Sequence, residues 1–321
     1  MSEPVTQPVV AVTARPPGLH APVALGTALV AYSVLGGLWL NRHGHSPEWL
    51  VVVREWVNRP LGLGEDFGLL GLSLLLVCAG HLLFARAMST GLPRFLGRLA
   101  WQAGLPLVVA VVLGVLFSLF ADPLPLVVDY RENPPALAVL AVVVFAVLCT
   151  GSAVLLPRRP VVAVAAQLTV VVVLLVVAGV ADLDQLAILT ALVALPICGE
   201  LQLLLRTGLG RFWEVAPLVL VCFVVPAVTE HLFRTAALWW FTVAAVVAFM
   251  LVQLAVKGEP HTARPRPVDW LVSRAFPLVL LCGVLAYPLL GLLPLPFNYL
   301  VALPVWGLGA ELLHRCFGKS T

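Results

Sequence analysis

Apolar residues in this chain neither alternate nor recur at a helical period. They run on for about twenty positions at a time, broken by short stretches of proline, glycine and charge. Ten runs stand out, over residues 22–40, 67–86, 99–120, 136–156, 161–180, 183–205, 213–228, 236–256, 272–293 and 295–314. A helix of about 20 apolar residues crosses a hydrocarbon core about 30 Å thick, so each run predicts one crossing. Strands of an outer-membrane barrel would alternate over about ten residues instead. The predicted fold class is therefore all-α, a polytopic integral membrane protein of about ten transmembrane helices.

Composition agrees with this reading. Hydrophobic residues make up 61% of the 321 positions and charged residues 11%, against about 25% charged in soluble domains. No stretch is both long and polar enough for a soluble domain. A single membrane domain is expected over residues 21–316, between a flexible cytoplasmic tail at 1–20 and a C-terminal tail at 317–321. The first run lacks the positive flank and small-residue cleavage site of a signal peptide and is expected to be retained. Fourteen of the 19 lysines and arginines fall on one set of alternate connections and tails, and five on the other. Cytoplasmic loops keep such residues, so both termini are expected in the cytoplasm. Seventeen arginines against two lysines suggest a GC-rich bacterial source, hence a plasma membrane. The net charge of +3 comes without any basic run, which sets nucleic acid aside as a partner.

The connection from Asn41 to Asp66 carries Trp49, Trp56 and the apolar run Leu50 to Val53, a pattern suited to a short helix on the outer membrane surface. A second outward connection holds Asp122, Asp129, Tyr130, Arg131 and Glu132, either a solvated turn or a set of contacts for an external ligand. His43 and His45 have no cysteine or carboxylate beside them, so no metal site is expected. Cys78, Cys149, Cys198, Cys222, Cys282 and Cys316 lack the spacing of a metal knuckle or disulfide framework and read as small core residues.

Ionisable side chains deep in a bilayer are costly and ask for a reason. His81, past the middle of the second run, reads either as a catalytic base or as a neutral imidazole bonded to another helix. Glu200 and Gln202 lie toward the cytoplasmic part of the sixth run. Glu200 is six residues from Arg206, an awkward spacing for a pair, so it is expected to face a cavity or another helix. Glu230 and Arg234 have the i, i+4 spacing of a surface ion pair. Gln102, Gln167 and Gln253 are placed to hold helices together by hydrogen bonds.

Four segments carry a resemblance. LGLSLLLVCAGHLLFARA, from Leu70 to Ala87, resembles the "LGVDLFFVLSGFLITRA" helix of the acyltransferase-3 family, polytopic proteins that O-acylate sugars and other hydroxyls. PRFLGRLAWQAGLPL from Pro93 looks like that family's "RRFLRRRALRILPAL". PRPVDWLVSRAFPLVLLCGVLAYPLLGLL from Pro265 is similar to its "LSxxSYPLYLLHxPV" helix, and AELLHRCF from Ala310 to its closing "ELPFRR". The resemblance implies a ten-helix fold, acyl-CoA as donor with no bound cofactor, and a hydroxyl of an envelope glycan or secondary metabolite as acceptor. It also implies an arginine and a histidine in the first helix, the histidine taking the acceptor's proton as the hydroxyl attacks the acyl carbonyl. Here those positions read Pro22 and Ser33. The family's other polar positions align with Ser73, Val142 and Cys282. Three readings follow. The first is an acyltransferase with His81 as a relocated catalytic base, Arg86 or Arg98 holding donor phosphates, and Glu200 contacting substrate. The second is a catalytically inactive relative that binds a membrane ligand or serves as a scaffold. The third is a transporter.

Overall fold

In a computed structural model the described residues are 17–44, 47–61, 66–90, 92–117, 119, 134–152, 159–232, 240–258, 266–292, 294 and 297–317. The outward connection with Asp122, Asp129, Tyr130, Arg131 and Glu132 lies outside them, as do His45, Arg234 and most of both tails. Twelve helices follow in order: α1 His20–Arg42, α2 48–61, α3 Gly68–Thr90, α4 92–117, α5 Pro134–Ser152, α6 Pro160–Val180, α7 Asp184–Thr207, α8 Phe212–Leu232, α9 Phe241–Lys257, α10 Arg266–Ser273, α11 Ala275–Leu292 and α12 Phe297–Phe317. Among the described residues nine helices are long and apolar enough to span a membrane, and α9, with 17 residues, is a shorter apolar helix. At 1.5 Å per residue α9 covers about 26 Å, close to the core thickness. The protein is an all-α polytopic membrane protein.

Helix α7 is the centre, with 89% of its apolar window buried, followed by α3 with 72%; α4 and α12, at 17%, form the rim. Lipid tails are as apolar as leucine, so helices in a bilayer associate through close packing rather than hydrophobic burial. Glycines make that possible where α3 meets α7: a Cβ on Gly80 would fall onto the Pro196 carbonyl, and one on Gly199 onto that of Val77. The rim faces carry Val176, Leu220, Leu254 and Leu308, each at least 60% exposed. Water would not tolerate so much contiguous apolar surface, whereas lipid matches it.

Several helix ends differ from the sequence expectation, each for a local reason. The tail expected at 1–20 ends sooner, because Pro17–Leu19 form a turn running into α1 and Leu19 is buried. Helix α4 begins at Leu92, its first turns exposing Arg94 and Arg98. Helix α9 begins at Phe241 because Glu230, at the end of α8, caps it. Its carboxylate accepts the backbone N–H groups of Trp240 (2.8 Å) and Thr242 (3.2 Å) and the Thr242 hydroxyl (2.8 Å), satisfying orphan donors of a helix start. The run expected at 272–293 is broken at Arg274, whose φ of −110° and ψ of 9° leave the helical region. Pro277 then sits in the first turn of α11, where its missing N–H costs no helical hydrogen bond. Helix α7 ends on Gly208 at φ +70°, the left-handed closing residue that glycine supplies without strain.

The surface helix expected after the first run is present as α2, with Trp49 53% and Trp56 77% exposed. Arg54 grips Asp66 through two hydrogen bonds of 2.8 and 2.9 Å, tying α2 to the start of α3. Five cysteines are buried and Cys316 is exposed near the end of α12. A membrane-impermeant maleimide is thus expected to add one label to the native protein and six after denaturation, read by intact mass. With the termini cytoplasmic, Cys316 labels in inside-out but not right-side-out vesicles; the opposite sidedness would reverse the orientation.

Candidate ligand-binding site

The polar residues singled out in the sequence do not converge. His81 is fully buried where α3 crosses α7, and neither ring nitrogen has a hydrogen-bond partner. It is therefore not the imidazole bonded to another helix that one reading expected. Glu200 is also fully buried, facing another helix rather than a cavity: its Oε1 accepts a long 3.4 Å contact from the Gln167 amide, and its Oε2 has no partner. Gln167 also donates to Ser152 at 2.7 Å, so this glutamine holds α5, α6 and α7 together as expected of an interhelical amide. Arg86 and Arg98 are exposed at the end of α3 and the start of α4.

An open space lies elsewhere. A slot of about 220 Å³ runs between α1, α3, α5 and the α10–α11 junction. Its wall is apolar, with Leu72 and Leu82 of α3, Val139 of α5 and Phe276 of α11 among its residues. From Leu72 to Leu82 it follows ten residues of helix, about 15 Å, so it is long and narrow. The Cys78 thiol lies partway along, and the other polar side chains, His20 and Ser273, stand at the end where α1 and α11 begin.

Beside that end lies a polar vestibule lined by His20, Arg266, Asp269, Trp270, Ser273 and Arg274. The two spaces share His20, Val272 and Ser273 in their walls. The positive-inside count expects this end of the bundle on the cytoplasmic side. Arg274 is fixed there by a carboxylate from the last helix: its Nε donates to Glu311 at 2.6 Å, Arg315 donates to the other oxygen at 2.8 Å, and the Trp270 indole N–H donates at 3.2 Å. The Arg274 guanidinium also lies 5.6 Å from the Trp270 ring centroid, within cation–π range. These contacts bring α10 and α12 together, and His20 at the start of α1 lines the vestibule beside them.

Sequence reasoning missed this vestibule. His20 falls in the stretch expected as a flexible tail, two residues before the first apolar run. Most of the stretch RPVDWLVSR, 266–274, fell in the connection before the run at 272–293, although its polar and apolar positions already suit a short amphipathic helix at an interface. No group of three His, Cys, Asp or Glu side chains placed to hold a metal occurs among the described residues.

The fold and site define a multi-pass helical membrane protein with an apolar slot beside a charged vestibule. No protein-family model, curated protein or solved structure matches the chain. The buried amide network makes one prediction. Gln167→Leu strips Glu200 of its hydrogen-bond donor, and a buried polar group left unsatisfied costs roughly 1–3 kcal/mol. Denaturant unfolding in detergent should show a loss of that order, and unchanged stability would mean the amide bridge carries no weight.

Proposed function

We propose that this protein binds an acyl amphiphile from the cytoplasmic face, with the hydrocarbon chain in the slot and an anionic head at the mouth. The observation that carries the reading is that the apolar slot and the charged vestibule lie side by side, with His20, Val272 and Ser273 in the walls of both. A long apolar space accepts an alkyl chain through burial worth about 0.8 kcal/mol per CH₂, while Arg266 and Arg274 suit phosphate oxygens. Acyl-CoA, the donor implied by the acyltransferase-3 resemblance, has both parts. The phosphate-holding role moves from Arg86 and Arg98, which do not line the slot, to Arg266 and Arg274.

Binding without transfer is favoured over catalysis. His81 and Glu200 are sealed in the helix core, and the positions expected to hold arginine and histidine are Pro22, buried in α1, and Ser33, packed against Gly68. The second reading, acyl transfer to a hydroxyl of an envelope glycan or secondary metabolite, rests on His20. An imidazole in the walls of both slot and vestibule stands near the place the reacting carbonyl of a bound acyl thioester would occupy, and can serve as general base. A transporter reading has less support, because Glu200 lies on neither space. The arginine-rich composition favours a bacterial plasma membrane.

The test is equilibrium binding to the purified protein in lipid nanodiscs. Palmitoyl-CoA is expected to bind, and free CoA to bind at least about tenfold more weakly for want of chain burial. Ala79 lines the slot, so Ala79→Phe, which fills it, should abolish the palmitoyl advantage while the unfolding temperature holds. Equal binding of palmitoyl-CoA and free CoA would overturn the proposal. Under the transfer reading, membranes move label from radiolabelled acetyl-CoA to envelope glycans, His20→Ala stops this and His81→Ala does not. A silent wild type leaves binding alone.

A further inference from the structure

We infer that Glu311 sets the headgroup specificity of the slot, acting as a built-in competitor for Arg274 that admits phosphate-bearing amphiphiles and turns away fatty carboxylates. The inference rests on the acyl-binding reading above and adds to it the chemical class of the head.

The geometry is that of an occupied anion site. Glu311 approaches from α12 and is held by three donors: Arg274 Nε at 2.6 Å, Arg315 Nε at 2.8 Å and the Trp270 indole N–H at 3.2 Å. Two of those three side chains, Trp270 and Arg274, also line the vestibule. Arg274 and Glu311 keep 18% and 19% of their side-chain surface exposed, so an incoming head can reach the pair. Asp269 lies on the vestibule wall as well, and adds to the repulsion an anion meets there. Arg266, exposed at the start of α10, supplies a second cation.

A tethered carboxylate competes at the high effective concentration of an intramolecular group. A fatty acid offers one more carboxylate of the same charge and geometry, and pays ordering entropy to replace what is already there. A phosphomonoester carries about −1.5 to −2 charge and three strong acceptor oxygens, so beside the two cations of the vestibule, Arg266 and Arg274, it competes better than a single carboxylate. With Glu311 in place the cluster of Arg274, Arg315 and Glu311 has a net charge of +1; without that carboxylate it has +2. Removing one negative charge within a few ångströms of the mouth strengthens binding of any anion.

The experiment compares wild type, Glu311→Gln and Arg315→Gln in phosphatidylcholine nanodiscs, using dodecyl phosphate, laurate and inorganic phosphate as probes. Wild type should bind dodecyl phosphate and prefer it to laurate, with inorganic phosphate weaker than either alkyl probe. Glu311→Gln should bind dodecyl phosphate about tenfold tighter and gain still more for laurate, narrowing the preference. Arg315→Gln, a change at a side chain 67% exposed, lowers the local charge and leaves Glu311 wholly to Arg274; it should weaken both alkyl probes severalfold. It guards against misfolding of the first variant, and unfolding temperatures are measured for each. Unchanged or weaker binding to a folded Glu311→Gln, or unchanged binding to Arg315→Gln, would overturn the role of Glu311 while leaving the slot intact. If wild type binds neither alkyl probe, the acyl-binding reading itself fails and this inference with it.

Discussion

The crossing of α3 and α7 at Gly80 and Gly199 is the contact on which the rest of this structure depends. In a bilayer every backbone polar group must be satisfied within its own helix, and side chains gain nothing from hiding among others as apolar as the lipid. What remains is close contact between surfaces, and the two glycines allow backbones to meet where any larger residue would hold them apart. Helix α7 then sits inside a ring of α3, α5, α6 and α8. The buried polar residues His81, Gln167 and Glu200 gather around it because that interior is shielded from lipid.

This arrangement separates two kinds of polar group that look alike in a hydropathy reading. Those around α7 are sealed and structural in placement: Gln167 ties three helices through Ser152 and Glu200. Those on α10 and at the start of α1, with Glu311 of α12 beside them, surround an opening. The helix is interrupted at Arg274, with Arg266 and Asp269 before the break on the vestibule and Ala275, Phe276 and Val279 after it on the slot. Chain chemistry and head chemistry are thus served by different elements, the slot by α1, α3, α5 and α11, the mouth by α10 and α12.

The fold class was legible because runs of twenty apolar residues have one physical solution in a bilayer, and the ten runs correspond to nine long helices and one shorter one among the described residues. The surface helix α2 was legible for a similar reason, since Trp49 and Trp56 flag an interface. The site was not. An ionisable residue inside an apolar run draws attention, so reasoning settled on His81 and Glu200, yet hydropathy does not distinguish a cavity from a helix crossing. His20 and Arg274 stand at run boundaries, where polar residues are ordinary. The pairing of Arg274 with Glu311, 37 residues beyond it, depends on how α12 packs against α10 and α11. Glu230 was read as one half of a surface ion pair with Arg234; its role as the cap of α9 depends on Trp240 and Thr242, ten and twelve residues on.

The claim that the slot takes a hydrocarbon chain from the cytoplasmic side is tested most directly by photocrosslinking. Palmitoyl-CoA with a diazirine on its chain would be bound to the protein in nanodiscs, irradiated, and the adducts mapped by mass spectrometry. The account predicts adducts in α3 between Leu72 and Leu82 and near Val139 and Phe276, suppressed by excess unlabelled palmitoyl-CoA. Adducts spread over the lipid-facing positions Val176, Leu220 and Leu308, and insensitive to competition, would contradict it.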